Sequence, residues 1–181
     1  MMKGEGTMNY CKHYGKTAFW KYRLPENPIF VDMDGVVAVW DDIATVEETK
    51  VPGYWLKREL ATAGKRLIDL FMKEEIPFCF LSSTWGVWSA LEKDYWLTHR
   101  FGEEVPRIFL PCGENKAEYI GNRSGCILID DYTKNLEAWE KSGNRGIKFM
   151  NEVNGSNGSW KGKRIEEDMT DEQILDIILT A

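Results

Sequence analysis

Short continuous apolar runs alternate along this chain with longer segments whose apolar positions recur at helical spacing. The runs at 29–31, 78–81, 107–110, 126–131 and 146–150 predict strands, the last of them closing the sheet. Between them, Leu67, Leu70 and Phe71 mark an amphipathic helix over 65–75 that Pro77 stops. Trp88, Leu91 and Tyr95 share one stripe of a helix over 87–101. A short helix follows at 115–120, and Leu136 and Trp139 share a face of another that starts near Thr133 and stops at Gly143. At the end of the chain Thr170 and Gln173 form a capping box, with Met169 and Ile174 placed as its hydrophobic staple. Residues 1–28 mix polar and aromatic side chains and close on Pro25 and Pro28, which predicts an irregular arm. The stretch 37–63, rich in Trp, Tyr and charge and broken by Pro52-Gly53, predicts two short helices as a small insert after the first strand. Residues 154–158 are a glycine-rich loop, and Lys161, Lys163 and Arg164 read as a solvated basic cluster. Strands alternating with helices predict an α/β fold: one parallel sheet covered on both faces, in a single domain over 1–181.

Composition narrows this picture. A chain of 181 residues, 43% hydrophobic and 29% charged, suits one soluble domain with a full core. The net charge of −6 argues against a nucleic-acid polymer as partner and gives an anionic substrate no long-range attraction, so a bound phosphate would need local cations. Cys11, Cys79, Cys112 and Cys126 show no C-x-x-C spacing, and two of them lie inside apolar runs as small hydrophobes. No stretch resembles a signal peptide or reaches the length of a membrane span, which predicts a cytoplasmic, reduced chain without a membrane partner.

The chemistry sits where runs end. Ile-Phe-Val is followed by Asp32 and Asp34, two positions apart, then by Gly35. Alternation along an extended segment can put both carboxylates on one side. Two carboxylates that close repel unless a cation neutralises them or one stays protonated. Metal binding, nucleophilic attack and proton transfer all use such a pair. A calcium loop needs more oxygen ligands and a glycine at its sixth position, whereas here glycine is fourth and Val36-Val37 follow. The run at 126–131 ends in Asp130 and Asp131, the run at 78–81 ends in Ser82 and Ser83, and Lys116 lies between. Taken singly, Ser82 is a helix cap, Lys116 a surface lysine and the acidic pair a solvated strand end. In an open parallel sheet, ligands bind outside the carboxyl ends of the strands, so together these groups reach one edge.

The order Asp-x-Asp-Gly-Val, Ser/Thr, Lys, acidic pair resembles the haloacid-dehalogenase-like (HAD) phosphohydrolases over roughly 29–150. That resemblance implies a Rossmann-like three-layer α/β/α sheet with a small helical cap insert at 37–63. It also implies Mg²⁺ as cofactor and phosphate monoester hydrolysis through an aspartyl-phosphate. Asp32 is then the nucleophile and Asp34 the general acid and base. Asp32, the backbone carbonyl of Asp34 and Asp131 hold the metal, with Asp130 in support. Ser82, Ser83 and Lys116 bind the phosphoryl group. Trp40 and Pro52-Gly53-Tyr54-Trp55 resemble the 5'(3')-deoxyribonucleotidase branch, which implies Trp40, Tyr54 and Trp55 as a base-stacking platform for a nucleoside monophosphate. A phosphatase of sugar or other small phosphates, and a non-catalytic nucleotide-binding protein of the same fold, stand as alternatives.

Overall fold

The structure, a computed structural model, describes residues 9–13, 16–21, 25–40, 43–120, 125–154 and 159–181. The described strands are β1 (Asn9–His13), β2 (Lys16–Lys21), β3 (Ile29–Val31), β4 (Phe78–Thr84), β5 (Arg107–Pro111), β6 (Ile127–Asp130), β7 (Arg145–Phe149) and β8 (Lys163–Ile165). The described helices are α1 (Thr62–Lys73), α2 (Val87–Phe101), α3 (Lys116–Ile120), α4 (Thr133–Lys141) and α5 (Asp171–Leu179). The strands form one sheet in the order β1-β2-β5-β4-β3-β6-β7-β8. From β5 through β8 every neighbour is parallel, and β2 and β1 extend that edge antiparallel.

Alternation along the strands divides the interior into two cores. Ile29, Val31, Phe78, Phe80, Ile127, Ile129 and Ile147 face α1, α2 and α5, where Leu67, Phe71, Trp96, Leu97, Ile174 and Ile178 cover them. Phe30, Cys79, Leu81, Leu110 and Leu128 face the other way, under Ile120 of α3 and Leu136 and Trp139 of α4. The result is the three-layer α/β/α arrangement expected. Its centre is β3, with Phe30 opposite Cys79 on one side and Leu128 on the other.

Four expectations need correction. The arm at 1–28 is in part a hairpin: β1 pairs with β2, which places Phe19 opposite Phe109 and joins the sheet. The run at 146–150 is not the last strand, because β8 adds beside β7 and takes Lys163 and Arg164 into the sheet edge. Three residues carrying two cations give almost no strand signal. The Trp88–Leu91–Tyr95 stripe of α2 faces solvent, at 70%, 41% and 56% exposure; Ala90, Lys93, Trp96, Leu97 and Phe101 are buried instead. Finally, the helices expected within 37–63 are single 3₁₀ turns, Glu48–Lys50 and Trp55–Lys57. Of the glycine-rich loop at 154–158, residues 155–158 lie outside the described residues.

The segment 37–63 is closed at its base by backbone bonds: Val39 N–H donates to the Glu59 carbonyl and Ala61 N–H to the Val37 carbonyl, each at 2.9 Å. It is tied down along α2. Glu92 accepts from the N–H groups of Gly53 and Trp55, and the Trp96 indole donates to the Arg58 carbonyl at 2.8 Å. The capping box on α5 forms through Thr170 and Gln173. Among the described residues, no helix is long and apolar enough to cross a membrane.

Candidate active site

The carboxyl ends of β3, β4 and β6 meet at the edge of the sheet, and each contributes polar groups there. After β3 the chain turns sharply: Val37 and Ala38 N–H both donate to the Met33 carbonyl, at 3.0 and 2.9 Å. Gly35 makes this turn with φ +75°, and a Cβ there would lie 2.0 Å from Asp131 Oδ2. Glycine is therefore required twice over, by conformation and by the approach of the second acidic strand. Asp32 follows β3 with its Oδ1 accepting the Met33 N–H at 2.8 Å, and its own N–H donates to the Ile129 carbonyl of β6 at 2.9 Å.

Asp32, Asp130 and Asp131 are all buried, and one oxygen from each lies within 4.8 Å of the others. Lys116, at the start of α3, reaches Asp32 at 3.0 Å and Asp130 at 2.7 Å. Asp130 is held on both oxygens: it also accepts from the Tyr132 N–H at 2.8 Å and from the Asn135 amide at 2.9 Å. Asp131 faces the open side of the site, where Asn151 and Asn154 donate to its Oδ2 at 2.8 and 2.7 Å. Lys148 fixes the Asp131 carbonyl at 3.0 Å. Asp34 sits apart from the triad and pairs through Oδ2 with Lys93 of α2.

Burial raises all three of the carboxylates Asp34, Asp130 and Asp131. Asp131 is pushed up to about 7 by burial, reinforced by Asp130 and Asp32. Asp130 rises to about 6, with burial outweighing the attraction of Lys116. Asp34 is raised by burial against the pull of Lys93. Burial would lower Lys116, but Asp130 and Asp32 beside it hold it above its ordinary value. Around the site, Asp32, Asp34, Asp130 and Asp131 carry up to four negative charges, and among the described residues the cations paired with their side chains are Lys93 and Lys116. The unbalanced charge and the all-oxygen donor set fit a hard divalent cation.

A cavity of about 630 Å³ opens over this floor, lined by Asp32, Asp34, Ser83 and Asp131 below and by Trp40, Trp55 and Trp85 to the side. Trp40 and Trp55 stand 6.4 Å apart, ring to ring. Tyr54 is not part of the lining; its ring packs edge-on against Trp55 and carries Arg58 on its face. Ser82 is fully buried beside Asp34 and Lys93, while the neighbouring Ser83 reaches the cavity.

Sequence reasoning missed Lys93, Asn151, Asn154 and Trp85. Asn151 carries the same signal as the aspartates, since it directly follows the apolar run of β7. Lys93 was hidden by the phase assigned to α2: with Ala90, Leu97 and Phe101 as the buried stripe, a lysine inside it stands out. Trp85 follows β4 and donates through its indole to Thr49 Oγ1 at 2.8 Å, joining the insert to the sheet edge.

No protein-family model matches this chain, and no curated protein matches it in sequence. Solved structures that share its fold include the following two. D,D-heptose 1,7-bisphosphate phosphatase from B. bronchiseptica, solved with magnesium and phosphate, aligns with a TM-score of 0.59 at 13% identity, covering 83% of this chain and 99% of its own. A HAD-like phosphatase candidate from Mesorhizobium loti aligns with a TM-score of 0.59 at 14% identity, covering 90% and 91%. At such identities the likeness speaks for the Rossmann-like sheet, and chemistry has to be argued from the site. Neither neighbour is named a nucleotidase.

Proposed function

We propose that this chain is a Mg²⁺-dependent phosphomonoesterase that works through an aspartyl-phosphate on Asp32, and that it acts on (deoxy)nucleoside monophosphates. The observation that carries the reading is the meeting of Asp32, Asp130 and Asp131 within 4.8 Å beneath a cavity with tryptophan walls. Asp32, Asp131 and the Asp34 backbone carbonyl would hold the ion, with Asp130 kept in reserve by Lys116. When bound, Mg²⁺ supplies charge neutralisation for the phosphoryl group. An oxygen of Asp32 attacks phosphorus while the bond to the leaving oxygen breaks, and Asp34 gives that oxygen a proton. Water then attacks the phosphorus of the aspartyl-phosphate, returns a proton to Asp34 and frees Asp32. Burial of Asp34 favours the protonated form that the first step needs. Ser83 lies where it can meet a phosphoryl oxygen, and Lys116 offsets charge on Asp32.

Gly35→Ala tests the metal site. Pushing Asp131 aside should weaken Mg²⁺ binding roughly 10- to 100-fold, the range for disturbed ligand support, read from the Mg²⁺ dependence of thermal stability. Unchanged dependence would place the ion elsewhere.

The nucleotide reading rests on Trp40 and Trp55 in the cavity wall. A phosphate-release panel over nucleoside monophosphates and sugar phosphates, with and without Mg²⁺, tests it. Trp40→Ala should raise KM for the nucleotide roughly 5- to 150-fold, one lost base stack of about 1–3 kcal/mol, and spare sugar phosphates. Equal activity across bases, untouched by Trp40→Ala, would instead favour a sugar phosphate, the class of substrate named for the heptose bisphosphate neighbour.

A further inference from the structure

Lys93 has no exposed surface, and each of its contacts lies beside the reacting groups. Its ammonium donates to Asp34 Oδ2, to Ser82 Oγ at 3.0 Å and to the Ser83 carbonyl at 2.8 Å, so all three of its protons have acceptors. The open side of the ammonium is closed by the ring of Trp55, whose centroid lies 3.8 Å from Nζ. Asp34 is thereby gripped by one oxygen only. Its other oxygen, Oδ1, is buried and has no hydrogen-bond partner. A buried carboxylate oxygen left without a partner is costly, and such an atom on a residue that lines the cavity calls for an explanation.

We infer that Lys93 is the positioning residue for Asp34: it fixes Oδ2 so that Oδ1 alone exchanges protons with the substrate. The inference rests on the phosphatase reading and adds the device that aims its acid. In the first step the Oδ1 proton passes to the leaving oxygen as the phosphorus–oxygen bond breaks, and the carboxylate left behind keeps its bond from Lys93. In the second step water attacks the aspartyl-phosphate, and its proton returns to the same Oδ1. The charged hydrogen bond to Oδ2 stabilises the anion that forms on proton donation, and it also stops the carboxyl group from rotating. Misplacement by about 1 Å in such a constellation costs on the order of 100-fold in rate. Trp55 lines the cavity and also covers Lys93, and Glu92, one residue earlier on α2, holds the Trp55 backbone. One helix therefore sets both the acid and part of the substrate wall.

Leaving-group dependence separates this role from a purely structural one. An alkoxide such as a nucleoside 5'-oxygen needs a proton to depart, whereas p-nitrophenolate departs without one. Lys93→Met should lower kcat/KM for a nucleoside 5'-phosphate about 100-fold and for p-nitrophenyl phosphate only a few-fold, since kcat/KM covers the steps up to loss of the leaving group. Because Lys93→Met strands a buried carboxylate, the double variant with Asp34→Asn, which removes both charges, is the second arm. In the Asp34→Asn background, Lys93→Met should cost nothing further on either substrate. Equal losses on both substrates, no loss on either, or additive losses in the double variant would overturn the role of Lys93 while leaving the phosphatase reading intact. A native chain that hydrolyses neither substrate with Mg²⁺ present would overturn that reading, and this inference with it.

Discussion

Asp32→Asn is expected to lower kcat by at least about 10⁴-fold, because an amide oxygen cannot form the proposed aspartyl-phosphate. The loss should be chemical and not structural. Asparagine keeps an oxygen for the Met33 N–H at 2.8 Å, and Lys116 keeps Asp130 at 2.7 Å. It also removes one of three carboxylates that crowd each other, so the melting temperature should hold or rise. Phosphate release under substrate saturation, beside a thermal melt, checks both halves. A variant that keeps more than about 1% of native kcat would mean that water or another side chain attacks phosphorus directly.

Lys116→Met should have the largest effect on stability. Lys116 is 3% exposed and sits between Asp32 and Asp130, so its loss leaves buried carboxylates facing one another with no cation. Breaking a buried pair on one side costs about 3–5 kcal/mol, which for a chain of this size corresponds to a melting temperature lower by roughly 10 °C. The same crowding gives the metal-free native chain a defined pH dependence. Asp130 at about 6 and Asp131 at about 7 are both raised above the ordinary 3.8, so between those limits the folded state binds more protons than the unfolded one. Stability must then fall as pH rises from about 4 to about 7. Melts without metal at about pH 5 and about pH 8 should show this loss. Mg²⁺ should restore stability at the higher pH, by mass action on the folded state. A variant that melts with the native chain would show that Lys116 neutralises nothing that matters to the fold.

Much of the frame was legible in the sequence, because the central strands are buried on both faces and so read as unbroken apolar runs. Ile29–Val31 and Val87–Phe101 fall where the pattern puts them, and the cap on α5 follows from Thr170 and Gln173. The edges were not legible, for a physical reason. Edge strands are half solvated, so β8 with Lys163 and Arg164 carries little hydrophobic signal, and β1 and β2 are separated from β5 by many residues of chain. In α2, large apolar residues occupy both faces: Trp88 and Tyr95 lie outside, Trp96 and Phe101 inside. Period alone could not choose between the two stripes. At the site, the acids at strand ends came from one rule about parallel sheets. Lys93 and Asn154 come from a helix interior and from a loop beyond β7, which that rule does not reach.

The most direct test traps the proposed covalent intermediate. In Asp34→Asn the return of a proton from water is impaired, so p-nitrophenyl phosphate should load Asp32 faster than water clears it. Acid quench within the first turnover, followed by peptide mass spectrometry, should find one phosphoryl group, on the peptide bearing Asp32, with a matching burst of p-nitrophenolate. Phosphate release with no phosphorylated peptide at any quench time, or with the group on another residue, would contradict the account.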